Sequence, residues 1–255
     1  MRKAIRILSV LLILGAVCYI ALFAKGEYEN SHLYHSLKTQ PAKSAGNAPD
    51  RESFRYDLEH LKELNPDCVG IVEIPGTIIY YPVVYSAKED GMYYLRRDFN
   101  GKKQSRGSIF MDYRCDPDKP STNLILYGHR MKSGQMFARL IDYKSRDFWR
   151  EHRIVRWTDE SGTQEFEIFA VYLAADPSKL DDTAKHYQLN FIDAETESQV
   201  LAFGQAVKTW SYYDTGIEVK ETDEFLTLKT CDYAVENGRM VVVARKCDEE
   251  PSVLQ

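Results

Sequence analysis

Apolar positions fall into three regimes along the chain. From Ile7 to Ala24 they form one run, interrupted only by Ser9, Gly15 and Tyr19. Over residues 51–65, Phe54, Leu58, Leu61 and Leu64 recur at helical spacing and Pro66 stops the run, which predicts an amphipathic helix. From residue 68 onward the period changes. Short stretches rich in β-branched and aromatic residues predict strands over 69–74, 78–85, 107–112, 123–127, 154–158, 164–174, 225–231 and 239–246. Pro75-Gly76 and Asn237-Gly238 mark turns between them. Two helical insertions interrupt the series, over 136–150 and 194–212. The second carries Val200, Leu201, Phe203, Gly204, Val207 and Trp210 on one broad face. Many short strands with two helical insertions predict a mainly β fold, a barrel or a sandwich.

The first regime bears on location. Ile7 to Ala24 is at the short end of what crosses a hydrocarbon core as a helix. Arg2, Lys3 and Arg6 precede it, which directs the N-terminus to the cytoplasm and the remainder outside. A cleaved signal peptide is the rival. Its apolar core would be long, and Leu22-Phe23-Ala24 offers a bulky residue where a small one is wanted. The expected organisation is a cytoplasmic terminus over 1–6, a transmembrane anchor over 7–24, an extracytoplasmic stalk over 25–50 and a catalytic domain over 51–255. The stalk includes the linker-like QPAKSAGNAP at 40–49.

Composition narrows the function classes. With 44% hydrophobic and 28% charged residues in a 255-residue chain, the balance is globular. A net charge of −5 with only short basic runs gives no footprint for nucleic acid. Of the five cysteines, Cys18 lies in the apolar run, and Cys68, Cys115, Cys231 and Cys247 lie in the part expected outside. No C-x-x-C spacing suggests a zinc or redox motif, and no spacing of His, Cys and carboxylates suggests a metal site. H-E-x-x-H, G-x-S-x-G, the P-loop and the dinucleotide fingerprint are absent. A cysteine with a histidine remains as candidate chemistry.

In Phe225-Leu226-Thr227-Leu228-Lys229-Thr230-Cys231, alternation puts Leu226, Leu228 and Thr230 on one face and the other four on the opposite one. Cys231 ends this strand, where a rigid scaffold presents reactive groups to a loop. If 225–231 and 239–246 pair as a hairpin, Arg239 lies beside Cys231, where a guanidinium lowers a thiol pKa and can stabilise an oxyanion. The competing reading is a buried structural cysteine with a surface arginine. His129 follows the apolar strand 123–127 and Gly128, which permits a turn, so it mirrors Cys231 at a strand end. His32 and His35 fall in the stalk, and His60 and His152 in surface positions. His186, in a polar loop, competes with His129, and spacing does not separate the two.

Three segments carry a family resemblance. Leu126-Tyr127-Gly128-His129 followed by Met136-Phe137, then Thr227-Leu228-Lys229-Thr230-Cys231, then Arg239 before a Val-rich strand, resemble the signature segments of sortases. Three further features are similar to class B: Asn65-Pro66-Asp67-Cys68 running into Tyr81-Pro82-Val83-Val84, the Gly107-Ser108-Ile109-Phe110 region, and a helix before the catalytic strand. The resemblance covers about residues 51–246. It implies an eight-stranded sortase-type β-barrel with an N-terminal helix and a long inserted helix. It also implies Cys231 as nucleophile, His129 as general acid, and Arg239 as oxyanion or substrate clamp. Leu95, Thr183, Tyr187, Gln188, Thr230 and Asp232 would line the groove. Gly91, where relatives often have Asn, and Gln188, where an apolar residue is common, depart from the pattern.

The implied activity is a transpeptidase that cleaves a C-terminal sorting motif of N-P-x-T type after Thr and passes the thioester to an amine. The implied partners are secreted surface proteins bearing that signal, a peptidoglycan cross-bridge amine or its lipid-linked precursor, or a pilin lysine, and the membrane through the N-terminal helix. No cofactor or metal is expected, and no nucleic acid. A plain cysteine hydrolase with the same dyad and a catalytically idle binding barrel are the alternatives.

Overall fold

A computed structural model describes residues 2–39, 55–174, 177–232 and 238–248. The chain divides into two compact units, 1–57 and 58–255. In the first, helix α1 (Arg2–Ser36) leaves the side chains of residues 9–24 exposed, and it is long and apolar enough to cross a membrane. The helix continues past residue 24 to Ser36, through the first part of the expected stalk, whose linker at 40–49 lies outside the described residues. Arg55 pairs with Thr39 as an extended bridge, N···O 2.8 and 3.1 Å. That bridge corrects the expected helix over 51–65. Residue 55 is committed to a β-type pairing, and helix α2 (Leu58–Leu64) begins only after it.

The second unit is a closed eight-stranded barrel. Its strands are β1 (Cys68–Glu73), β2 (Tyr80–Val84), β3 (Ile109–Met111), β4 (Asn123–Tyr127), β5 (Ile154–Asp159), β6 (Gly162–Ala174), β7 (Phe225–Asp232) and β8 (Gly238–Lys246). They close in the order β1-β2-β3-β4-β7-β8-β6-β5. Closure removes exposed sheet edges. All neighbours are antiparallel except β2 with β3 and β4 with β7. The parallel β4–β7 pair matters for function, because both strands then end at the same rim of the barrel.

Strand β7 is buried on both faces. Leu226, Leu228 and Thr230 point into the barrel, level with Ala244, Val242 and Met240 of β8. Phe225, Thr227 and Lys229 point outward and are buried all the same, because the segment inserted between β6 and β7 covers them. That segment contains α4 (Asp182–Lys185), a π-helical turn (His186–Asn190) and α5 (Glu197–Trp210), α3 (Arg146–Glu151) having come earlier. Phe203 of α5 stacks on Phe191 with ring centroids 4.4 Å apart and meets Phe225 at 4.9 Å. These aromatic contacts bind the insertion to the barrel wall.

The helix expected over 136–150 is instead broken. Met136 sits at φ +57°, its N–H donating to the Tyr81 hydroxyl at 3.0 Å. A 3-10 stretch (Ala138–Lys144) follows, and Ser145, extended at ψ 124°, ends it and caps α3. Local helical spacing gives way here to tertiary anchoring of Met136, whose side chain is fully buried.

Candidate active site

The barrel rim aligns the three residues singled out in the sequence. Parallel register sets Tyr127 of β4 beside Lys229 of β7, and the Gly128 N–H continues the ladder onto the Lys229 carbonyl at 3.1 Å. His129 and Cys231 are each two residues further on, so they leave adjacent strands at one level. Across the next pairing Cys231 stands directly opposite Arg239, and Asp232 opposite Gly238. Opposed residues of an antiparallel pair share a face. Positions 129, 231 and 239 thus form one row over three neighbouring chains. For Cys231 and Asp232 the description is of backbone alone, and the connecting loop 233–237 lies outside the described residues.

His129 is fixed from two sides. Its carbonyl accepts from the Phe137 N–H at 3.1 Å, and Arg130 bridges to Met136, which closes the loop after it. Its ring Nε2 lies 2.7 Å from the carbonyl oxygen of Leu95. A carbonyl only accepts, so Nε2 carries the proton and Nδ1 is the ring nitrogen left for exchange. Gly128 is required by close approach: a Cβ there would stand 2.4 Å from Ile109 Cδ1 and 2.8 Å from the Phe137 ring. The turn-forming role expected of Gly128 is replaced by this squeeze, since the chain has to pass between two core side chains to deliver His129.

Leu95 lies in a 3-10 turn (Tyr93–Arg96), and the Ser108 N–H holds that turn through the Tyr94 carbonyl at 3.1 Å. Gly107, at φ +58°, packs its Cα against the Leu95 carbonyl, where a Cβ would intrude to 2.4 Å. Leu95 was expected only as a groove residue. Its backbone contact with His129 left no mark in the sequence except the glycine at 107, which reads equally well as a strand start. Arg239 is exposed, and its Nη1 donates to the Gly238 carbonyl at 3.2 Å.

The remaining expected groove residues scatter in burial. Thr183 is exposed on α4, capped by Asp181, and Tyr187 is half-buried in the following turn. Thr230 points into the barrel and is 2% exposed, its Oγ1 without a hydrogen-bond partner. Gln188 is 5% exposed, and its Oε1 is likewise buried and unpartnered. A buried polar atom without a donor is costly. Gln188→Leu is therefore expected to raise stability by about 1–2 kcal/mol, since it keeps the backbone carbonyl and removes the orphaned oxygen. Thermal denaturation of both proteins checks this, and an unchanged or lower midpoint counts against it.

The other barrel cysteines are poor candidates for thiol chemistry. Cys68 and Cys115 are 0% and 1% exposed, and burial pushes both thiols up to about 11. Burial also pushes the half-buried Cys247 thiol up. Thiolate is the reactive form, so a high pKa in a closed site quenches it. Among the described residues no group of three or more His, Cys, Asp or Glu could hold a metal ion.

A barrel with this row at its rim defines a class of protein, and comparison with known proteins agrees. The sortase-domain family model matches residues 72–247. Sortase B of Listeria monocytogenes is 35% identical over 220 residues, 84% of this chain and 85% of the relative. Among solved structures, sortase B from B. anthracis in complex with AAEK1 superposes with a TM-score of 0.70 at 29% identity, covering 88% of this chain and 99% of that one. A Staphylococcus aureus sortase B–substrate complex superposes with a TM-score of 0.66 at 29% identity, covering 76% and 85%. The chain belongs to the sortase family, in its class B branch, and so to the cysteine transpeptidases that anchor surface proteins.

Proposed function

We propose that Cys231 attacks the carbonyl carbon of Thr in a C-terminal sorting motif of N-P-x-T type, breaking the peptide bond after Thr. The attack forms a thioester and releases the downstream peptide, and an amine then takes the acyl group. The observation that carries this reading is the register that brings positions 129, 231 and 239 into one row. His129, with Nε2–H committed to Leu95, works at Nδ1: it takes the proton of the Cys231 thiol and gives it to the leaving amine, then takes a proton from the incoming amine and returns it to the Cys231 sulfur as that leaves. Arg239 stabilises the oxyanion of each tetrahedral intermediate. Leu95, Thr183, Tyr187, Gln188 and Asp232 form the substrate groove, and Thr230, which points into the barrel and is 2% exposed, lies behind the groove rather than in its lining. A proline in the motif bends the peptide beforehand and lowers the ordering cost of binding.

The acceptor is an amine of the cell-wall cross-bridge, its lipid-linked precursor, or a pilin lysine. Residues 7–24 act as an uncleaved anchor with 1–6 in the cytoplasm, 25–50 as a stalk, and 51–255 outside as the catalytic domain. The basic flank and the exposed apolar face of α1 support this topology.

The test is mass spectrometry of the full chain in detergent with Pro-x-Thr peptides, with and without diaminopimelate-like or oligoglycine amines. An acyl-enzyme on Cys231 and an amine-dependent ligated product are expected. Hydrolysis unchanged by every amine would leave a protease, and no cleavage with Cys231 reduced would remove the substrate assignment.

A further inference from the structure

Two cations are bound beneath the turn His186–Asn190. Lys229 is 5% exposed, and its Nζ donates to the Gln188 carbonyl at 2.8 Å and lies 5.7 Å from the centroid of the Tyr127 ring. Arg114 donates through Nη2 to the next carbonyl, Leu189, at 2.7 Å, and through Nη1 to Asn190 Oδ1 at 3.1 Å. Asp112 holds Arg114 in place with two hydrogen bonds of 2.9 and 2.6 Å and accepts from the Tyr127 hydroxyl at 2.9 Å. Burial alone would raise the Asp112 carboxyl, but Arg114 outweighs it and keeps Asp112 below the ordinary carboxylate range, hence ionised. No carboxylate stands within ion-pairing distance of Lys229 among the described residues. Its buried ammonium therefore directs its charge at a backbone carbonyl and an aromatic face.

Position along β7 connects this to the site. Phe225, Thr227 and Lys229 occupy its outer face in sequence, and position 231 is the next on that face. The π-helical turn is a rare geometry that needs outside support. We propose that Lys229 and Arg114 are positioning residues of the reaction: they clamp two consecutive carbonyls of the 186–190 turn and so set Tyr187 and Gln188 beside position 231. This rests on the functional reading above, in which those two residues line the groove.

Protonation bears on the clamp. Desolvation pushes the Lys229 ammonium down to about 8 from 10.5. The charged or titratable groups acting on it are Asp112, Arg114 and Cys115 from the segment after β3. Tyr127 presents its ring from β4, the turn carries exposed His186 and half-buried Tyr187, and the opposing residue on β8 is the apolar Val241. Above about pH 8 the amine is neutral in the folded protein and its hold on the Gln188 carbonyl weakens. The folded-state pKa lies below the unfolded one, so the burial penalty is full below pH 8 and is relieved as pH rises toward 10.5.

Lys229→Met, of similar length and without the donor, is the direct test on the full chain in detergent. The peptide KM is expected to rise about tenfold, the size of one lost charge-assisted hydrogen bond, with kcat little changed. Hydrogen exchange at amides 186–190 should accelerate, and the rise of KM expected of the wild type above about pH 8 should be absent from the variant. A folded variant with unchanged KM and unchanged exchange overturns the proposal. Should Lys229→Met fail to fold, Arg114→Gln, which loosens the neighbouring clamp, is expected to give the same KM rise and faster exchange, and an unchanged Arg114→Gln overturns it equally. Wild-type protein without Cys231-dependent turnover would defeat the functional reading instead, and the exchange comparison alone would then decide whether the clamp exists.

Discussion

Arg239→Ala is expected to lower kcat/KM for a sorting-motif peptide by about two to three orders of magnitude, the loss typical of one oxyanion donor. The expectation starts from register: Arg239 is paired directly with Cys231 across β7 and β8, which puts the two positions side by side at the barrel rim. The arginine is exposed in the free protein, where water screens its charge. A peptide lying over the rim would exclude that water and strengthen the interaction as negative charge develops. The effect should therefore appear mainly in kcat, because the ground-state carbonyl carries little charge.

Arg239→Lys separates charge from shape. The Nη1 donor to Gly238 fixes one edge of the guanidinium in a defined plane. An ammonium cannot hold that contact and the oxyanion in a fixed plane. Little recovery is expected in Arg239→Lys. Near-normal turnover in the lysine variant would mean that Arg239 contributes only a long-range charge, and the oxyanion role would have to move elsewhere.

Much of the barrel was legible because strand periods are short and local. The expected β4 over 123–127 coincides with the observed strand, and β7 and β8 are each off by one residue at the loop between them. The neighbourhood of Cys231 and Arg239 follows from the same information once 225–231 and 239–246 are read as a hairpin, whereas the place of His129 beside them depends on the parallel pairing of β4 with β7, which strand periods do not give. What escaped was set by partners distant in sequence. The break at Met136 goes with the Tyr81 hydroxyl, and the carbonyls of the π-helical turn are met by cations from β7 and from the segment after β3. Lys229 carried a signal that could have been used. A lysine in the middle of a core strand, on the face that an inserted helix must cover, has no route to water. The His129–Leu95 contact had no such signal, because any residue at 95 offers the same carbonyl.

The choice between His129 and His186, open in the sequence, now has geometry behind it and a large expected difference in rate. His129 leaves β4 at the level of position 231, and its ring is oriented by a short bond to Leu95. His186 is exposed at the start of the π-helical turn, with its ring against Tyr187 and Phe191 at centroid distances of 4.8 and 6.1 Å. His129→Ala should therefore cost about two to four orders of magnitude in kcat/KM, the range for losing a general acid–base, while His186→Ala should stay within about threefold, since surface changes rarely exceed that. Thioester formation needs a proton delivered to the amine that leaves the tetrahedral intermediate, so burst experiments should find acylation abolished in His129→Ala with peptide binding retained. Gly107→Ala extends the argument. Its Cβ would press on the Leu95 carbonyl from 2.4 Å and displace the group that orients the imidazole. It should reduce kcat with little change in KM, in the same direction as His129→Ala but to a smaller extent. If His186→Ala is the damaging change, the proton-transfer role belongs to the turn, and the 2.7 Å bond between His129 and Leu95 is then only a structural tie across the barrel rim.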